Sequence, residues 1–258
     1  MTTPLAQQFL SLGLRATAEQ IDALAAQAVA ASWSPQQLLE RITRLEADDR
    51  SNRSLERRTK RSRLGRFKPM ADFDWTWPKH IDRTLVEQLL RLNFLREARN
   101  VALLSAAGLG KSMIAQNLAH EALRAGHSVV FTTASQLLFD LSSRDSSAAL
   151  DRRLRRYARV GLLVIDELGY LSYDPRNADL LFQLVNLRYE RRSTVITSNL
   201  AFSEWGTVFP NAACATALVE RVIHHCDIVT IEGESYRLRE ARAVAASRRS
   251  AGSKGSVS

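Results

Sequence analysis

The sequence predicts a three-layer α/β/α domain built on a five-stranded parallel sheet, preceded by a small all-helical N-terminal domain. Three observations carry that expectation. From Asn100 onward the apolar runs "VALLS", "SVVFT", "GLLVID", "STVITSN" and "DIVTIEG" alternate with helix-length segments. Unbroken apolar strands separated by helices are the pattern of a parallel sheet covered on both faces. Residues 5 to about 64, by contrast, show helical periodicity and no strand pattern. Finally, "VALLSAAGLGKS" joins the first long strand to the first long helix through a glycine-bearing turn, close to the P-loop template G-x-x-x-x-G-K-[ST].

The elements follow in chain order. Leu5, Phe9 and Leu12 mark one apolar stripe. Thr17 with Gln20 has the spacing of a capping box ahead of Ile21, Leu24, Ala25 and Ala28. Ser34, Pro35 and Gln37 start a further helix carrying Leu38, Leu39, Ile42 and Leu45. The stretch "DFDWTWP" then marks a boundary, because Pro78 biases Trp77 toward an extended backbone and its three rings need shelter. In the second half the clearest helix is predicted from Lys111 to Arg124, with Ala115, Leu118, Ala119 and Ala122 inward and Gly126 as terminator. The tail "SRRSAGSKGSVS" has almost nothing to bury and is expected to be disordered. The expected division is therefore a helical domain over 1–66, an α/β domain over 67–245 and a basic tail over 246–258.

Composition narrows the function classes. The chain has 258 residues, 45% hydrophobic and 24% charged, enough for one sizeable core. Its apolar runs are too short for a membrane span, and "MTTPLAQQFLSLGLRA" lacks the pattern of a signal peptide, so a cytoplasmic location is expected. Cys214 and Cys226 share no metal-ligand or redox spacing. The net charge of +9 is concentrated: Arg50 to Lys68 holds nine basic residues against the single acid Glu56. Such a block points to a polyanion. Arg53, Arg57 and Arg61 recur at i, i+4, which puts three guanidinium groups on one helix face suited to a phosphate backbone, with Arg58 and Lys60 beside them.

The chemistry-bearing residues cluster at strand ends. In "AGLGKS" the backbone N–H groups of Gly108, Leu109, Gly110, Lys111 and Ser112 can converge on phosphate oxygens at the positive end of a helix dipole. Lys111 would neutralise β/γ-phosphate charge and the Ser112 hydroxyl would bind Mg²⁺, which makes ATP with Mg²⁺ the expected cofactor pair. Ser105 stands where the template has its first glycine, and with Met113 it completes the expected nucleotide contacts. "GLLVIDELGYL" ends four apolar residues in Asp166 and Glu167. Asp166 there can hold Mg²⁺, and Glu167 can polarise a water for attack on the γ-phosphate. Asn199, closing "STVITSN", is placed to orient that water. Arg221, on a helix with Leu218 and Val222, can serve a neighbouring subunit as an arginine finger, with Arg237 a second candidate. His224 and His225 show no acidic partner at metal-ligand spacing and are read as structural or surface groups.

The order "AGLGKS", "LLVIDELGYL", "LLFQLVNLRYERRSTVITSNLAFSEWG" and "RVIHHCDIVTIEGESYRLRE" closely resembles the IstB-like AAA+ ATPases, transposition helper proteins of bacterial insertion sequences related to replicative helicase loaders. "ERRTKRSRLGRFKPMADFDWTWPKHIDR" resembles that family's junction between N-terminal helices and ATPase domain, and Ser105 is the departure from its pattern. The resemblance implies a P-loop AAA+ fold, sequence-tolerant binding of duplex DNA, assembly on it as an ATP-bound homo-oligomer, and delivery or activation of a partner transposase. A helicase loader is the nearest rival reading and a P-loop small-molecule kinase a more distant one. The Asp166–Glu167 pair and the basic 50–68 segment speak against the kinase.

Overall fold

A computed structural model describes residues 3–144, 146–170, 172–210, 212–236 and 238–239. The expected tail and Arg237 lie outside the described residues. The chain divides into two compact units, Met1–Arg58 and Thr59–Ser258, whereas the sequence pattern put its boundary at residue 66.

The first unit is helical: α1 (Pro4–Ser11), α2 (Arg15–Ala30) and the beginning of α3 (Pro35–Ser62). Thr3 caps α1 by accepting from the Ala6 N–H. The expected apolar stripe is not a core face, since Leu5 and Leu12 are exposed and Ala6 is the buried residue. Nor does Thr17 cap anything. Helix α2 begins two residues earlier, at Arg15, and Thr17 is fully buried within it, its N–H and hydroxyl directed at Glu46. A capping box does open α3: the Ser34 N–H donates to Gln37 Oε1 at 2.8 Å, and the Gln37 N–H donates to Ser34 Oγ. That helix then runs unbroken through the basic segment to Ser62, where small separate helices were expected.

In the second unit a six-stranded sheet has the order β1-β6-β2-β5-β4-β3. Its strands are β1 (His80–Ile81), β2 (Asn100–Ser105), β3 (Val129–Thr133), β4 (Leu162–Leu168), β5 (Ser193–Ser198) and β6 (Cys226–Glu232). The five strands expected from the sequence are all present and mutually parallel. The sixth, β1, is a two-residue edge that pairs antiparallel with β6 and is too short to leave a periodic signal. Helices α4 (Arg83–Leu90), α5 (Asn93–Arg96), α6 (Lys111–Arg124), α7 (Ala134–Ser142), α8 (Ser147–Arg159), α9 (Pro175–Arg188) and α10 (Ala212–Ile223) complete it.

Both sheet faces are covered, which is why the strands read as continuous apolar runs. Helix α6 buries Ile114, Ala115, Leu118, Ala119 and Ala122, its alanines letting it lie close to the strands. On the other face Leu137, Leu141, Leu154, Leu184, Trp205 and Leu218 pack with Leu163, Ile165 and Ile196. Each such leucine contributes about 1.5–3 kcal/mol. Asp140 links α7 to α8. It accepts from the Tyr157 hydroxyl at 2.6 Å and from Arg153 at 2.8 Å, and it pairs with Arg144. Burial alone would raise its pKa, but the Tyr157 and Arg153 hydrogen bonds hold the carboxyl below its ordinary value.

Candidate nucleotide site

The site lies at the carboxyl edge of the parallel strands. Strand β2 delivers Ser105, the turn 106–110 follows, and α6 starts at Lys111. Gly108 and Gly110 have φ of 82° and 93°, a region that penalises any side chain. Space excludes one as well: a Cβ on Gly108 would come 2.1 Å from Ser235 Oγ, and one on Gly110 would come 2.6 Å from the Phe73 ring. Ser105, at the template's first glycine, is ordinary extended strand and needs no such freedom. Its hydroxyl has acquired work instead. Lys111, 6% exposed, donates from Nζ to Ser105 O at 2.6 Å, to Ala106 O at 2.8 Å and to Ser105 Oγ at 3.0 Å. The ammonium is thereby held at the mouth of the loop.

Asp166 and Glu167 owe their positions to an irregularity in β4. Ile165 pairs with Ile196 and Leu168 with Ser198, so two residues of β4 face the single residue Thr197 of β5. This is a β-bulge. Glu167 takes φ of 62°, rare for a side-chain-bearing residue, and turns its carboxylate to solvent while Asp166 stays 7% exposed. Thr197 fastens the bulge: its hydroxyl donates to Asp166 Oδ1 and accepts from the Glu167 N–H at 3.0 Å. The Ser112 hydroxyl also donates to Asp166 Oδ1, at 3.0 Å. Two hydroxyls and a carboxylate thus meet beside the loop, a hard all-oxygen surrounding that fits Mg²⁺.

A cavity of about 320 Å³ opens here, lined by Gly108 to Met113 together with Gln116, Glu167, Thr197, Phe73, Asp74, Tyr170 and Tyr236. Its aromatic wall answers where the rings of "DFDWTWP" find shelter. Phe73 packs on Trp75 at 4.7 Å and against Gly110, while Trp77 meets Tyr236 edge-on at 6.0 Å and donates from Nε1 to Glu234 O at 2.8 Å. The Tyr236 N–H in turn donates to Gly108 O at 3.0 Å, so the segment after β6 is tied to the phosphate loop. Thr197, Phe73 and Tyr236 escaped the sequence reading. Thr197 could have been found as the polar residue two before Asn199 in "STVITSN"; Tyr236 has no local signal.

The remaining site residues are placed as follows. Asn199 lies one residue past β5, its Oδ1 shielded from solvent and without a hydrogen-bond partner among the described residues; it is not among the residues lining the cavity. Arg221 stacks over Phe182 at 5.4 Å and Tyr189 at 5.3 Å on the α9 side, so it does not line the cavity of its own chain. His224 and His225 do have an acidic neighbour, contrary to the expectation from sequence. Glu190 Oε1 comes within 3.7 Å of His224 Nδ1 and 3.5 Å of His225 Nε2, carried there by the α9–β5 connection rather than by sequence spacing. On α3, Arg53 is engaged by Asp49 at 2.6 Å and Glu46 at 3.4 Å, and Arg58 donates to Ser54 Oγ at 2.6 Å. Arg57, Lys60 and Arg61 are exposed. The expected three-arginine face is therefore reduced to Arg57 and Arg61, because Arg53 is neutralised within its own helix.

Comparison with known proteins agrees with this geometry. The family description "IstB-like ATP binding protein" matches residues 7–244. The chain is 36% identical over 231 residues to the insertion sequence IS5376 putative ATP-binding protein of Geobacillus stearothermophilus, covering 90% of this chain and 92% of the relative. It is 39% identical over 197 residues to the insertion sequence IS21 putative ATP-binding protein of Pseudomonas aeruginosa, covering 76% and 74%. Among solved structures, DnaI superimposes with a TM-score of 0.54 at 19% identity over 67% of this chain and 90% of that one. The replication initiator DnaA bound to AMPPCP and single-stranded DNA gives 0.50 at 17% identity, over 63% and 52%. These structures share the P-loop AAA+ fold. No helix among the described residues is long and apolar enough to cross a membrane. A phosphate loop, an acidic bulge beside it and a family match over nearly the whole length converge: the chain belongs to the IstB-like ATP-binding proteins of insertion sequences.

Proposed function

We propose that this protein is an ATP-hydrolysing transposition helper that assembles as a homo-oligomer on duplex DNA, with little sequence preference, and there recruits or activates a partner transposase. The observation that carries the reading is the bulge that separates two adjacent carboxylates, Asp166 drawn in toward Ser112 and Glu167 turned out over the cavity. One residue can then serve the metal while the other serves the water.

In this reading Lys111 and the N–H groups of Gly108 to Ser112 bind the phosphates, and Ser112 with Asp166 holds Mg²⁺, which when bound neutralises charge developing on the phosphate oxygens. The Glu167 carboxylate accepts a proton from the attacking water. Asn199, one residue past β5, orients that water. Arg221 of a neighbouring subunit supplies the remaining positive charge. Exposed Arg57, Lys60 and Arg61 on α3 contact DNA phosphates. The domain division that goes with this is a helical DNA-binding and assembly region followed by the ATPase domain. The relatives are named as ATP-binding proteins of insertion sequences, which supports a transposase as partner.

Sedimentation on duplex DNA tests the reading. Glu167→Gln with ATP should remain on DNA long after the wild type has released it, because binding is kept and turnover is lost. Release of Glu167→Gln as fast as the wild type would overturn the proposal.

A further inference from the structure

A groove of about 710 Å³ runs between the last turn of α8 and the α9–β5 connection, lined by Arg155, Ala158, Arg159, Leu187, Arg191 and Arg192. It sits at the amino ends of β4 and β5, on the opposite sheet edge from the phosphate loop, which follows the carboxyl end of β2. Nothing in the nucleotide site uses it.

Its charge is one-sided. Along α8 the exposed arginines Arg152, Arg155, Arg156 and Arg159 recur at i, i+3, i+4 and i+7, a single helix face, while Arg153 turns inward to Asp140. Arg155 pairs with Asp151 at 2.8 Å, but both partners are more than half exposed, and such surface pairs contribute little. Arg159, Arg191 and Arg192 have no carboxylate within 4.0 Å among the described residues.

Below them lies a further positive charge. Arg188 is 1% exposed, and its guanidinium donates to Tyr157 O at 2.8 Å, Val160 O at 3.0 Å, Ala158 O at 3.2 Å, Thr194 Oγ1 at 3.0 Å and Ser193 O. Those acceptors are neutral, so the hydrogen bonds satisfy the donors and close the end of α8 without cancelling the charge. Burial, with Arg192 adding to it, pushes the Arg188 pKa down to about 9, which leaves it charged at neutral pH. Four rim arginines over a buried fifth make a strongly positive concavity.

We propose that this groove is a second DNA-contacting surface, through which the ATPase unit grips the phosphate backbone of duplex DNA. It rests on the DNA-binding reading above and places contacts where that reading has none. Arginine forks on two different elements match phosphate oxygens spaced along a strand. Among the described residues the lining holds no aromatic ring on which an unpaired base could stack, which favours a duplex backbone over single-stranded DNA.

The test is the triple variant Arg159→Gln/Arg191→Gln/Arg192→Gln in the full chain, which leaves Arg188 and the Asp140 network in place. Fluorescence anisotropy with a labelled duplex across a salt series should show the log–log slope flattened by up to about 2.7, roughly 0.9 per lost phosphate contact. The corresponding triple lysine variant should keep the slope, and ATP binding should match the wild type in both. A wild type that binds duplex with a slope unchanged in the glutamine variant overturns the groove while sparing the proposed function. Loss of transposase capture at an unchanged slope would assign the groove to an acidic protein surface and equally overturn it. A wild type that fails to bind duplex at low salt overturns both.

Discussion

Thr197→Val is the sharpest probe of how the two carboxylates are kept apart. Valine has nearly the shape of threonine, so the change removes the hydroxyl and little else. Two hydrogen bonds go with it, one to the buried Asp166 Oδ1 and one from the Glu167 N–H. A hydrogen bond to a charged group is worth about 1.5–3 kcal/mol, and an orphaned buried donor costs about 1–3 kcal/mol. Asp166 keeps the Ser112 hydroxyl, so the lower part of the summed range applies, and a net loss of about 2.5–4 kcal/mol is expected locally. Thermal unfolding should therefore drop by several degrees, at about 2–4 °C per kcal/mol for a unit of this size. The functional effect should exceed the structural one. Without its fastening, the left-handed Glu167 backbone can relax and carry the base off line, so single-turnover hydrolysis should fall at least about tenfold while ATP affinity stays within about threefold. Thr197→Ser, which keeps the hydroxyl, should recover most of the rate. A Thr197→Val protein with wild-type hydrolysis would refute the idea that Thr197 positions the bulge.

Other expectations follow from the same contacts. Ser105→Gly loses the hydroxyl that holds Lys111 Nζ and adds backbone freedom, so stability should fall by about 1 kcal/mol. Calorimetry should nevertheless find ATP affinity within about threefold, because Lys111 keeps two carbonyl partners; a loss beyond about tenfold would make the hydroxyl part of the nucleotide site. Asp140→Asn should destabilise the fold by about 1–2 kcal/mol at pH 7. Since the folded carboxyl has a lowered pKa, its contribution is present above the unfolded value near 4 and is lost as pH falls through the folded one. The gap between Asp140→Asn and wild type should accordingly close in acid, and a gap independent of pH would refute the ionic account. Finally, mixing Lys111→Ala with Arg221→Ala subunits should restore some ATPase activity that neither has alone, because hybrid interfaces pair an intact loop with an intact finger. If no ratio recovers turnover while DNA-bound assembly is intact, Arg221 does not act across the interface.

The parts of this molecule legible in its sequence are those written in local pattern. The β2–β6 runs are readable because strands buried on both faces must be apolar throughout, and α6 because its inward alanines and Gly126 bracket a helix between Lys111 and Arg124. Lys111, Ser112, Asp166 and Glu167 are legible because polar groups ending apolar strands have few structural explanations. Register is another matter. The bulge at Asp166–Glu167 is a two-against-one pairing with β5, a property of two strands that neither shows alone. The Thr17–Gln20 pair had the letters of a capping box, yet burial against Glu46 outweighed capping and the helix started earlier. Tyr236 reaches Gly108 and Glu190 reaches the two histidines only through the fold. By spacing Arg53 belongs to a DNA-facing stripe, but Asp49 and Glu46, one and two turns back, neutralise it.

The central claim is that Lys111 binds the phosphates and Glu167 activates the water in one ATP site. Phosphate release measured side by side with binding of a fluorescent ATP analogue, for wild type, Lys111→Ala and Glu167→Gln on duplex DNA, tests it most directly. Wild type should bind and turn over, Lys111→Ala should do neither, and Glu167→Gln should bind while turning over at least about a hundredfold more slowly. Hydrolysis by Glu167→Gln at the wild-type rate, or undiminished binding by Lys111→Ala, would contradict the account.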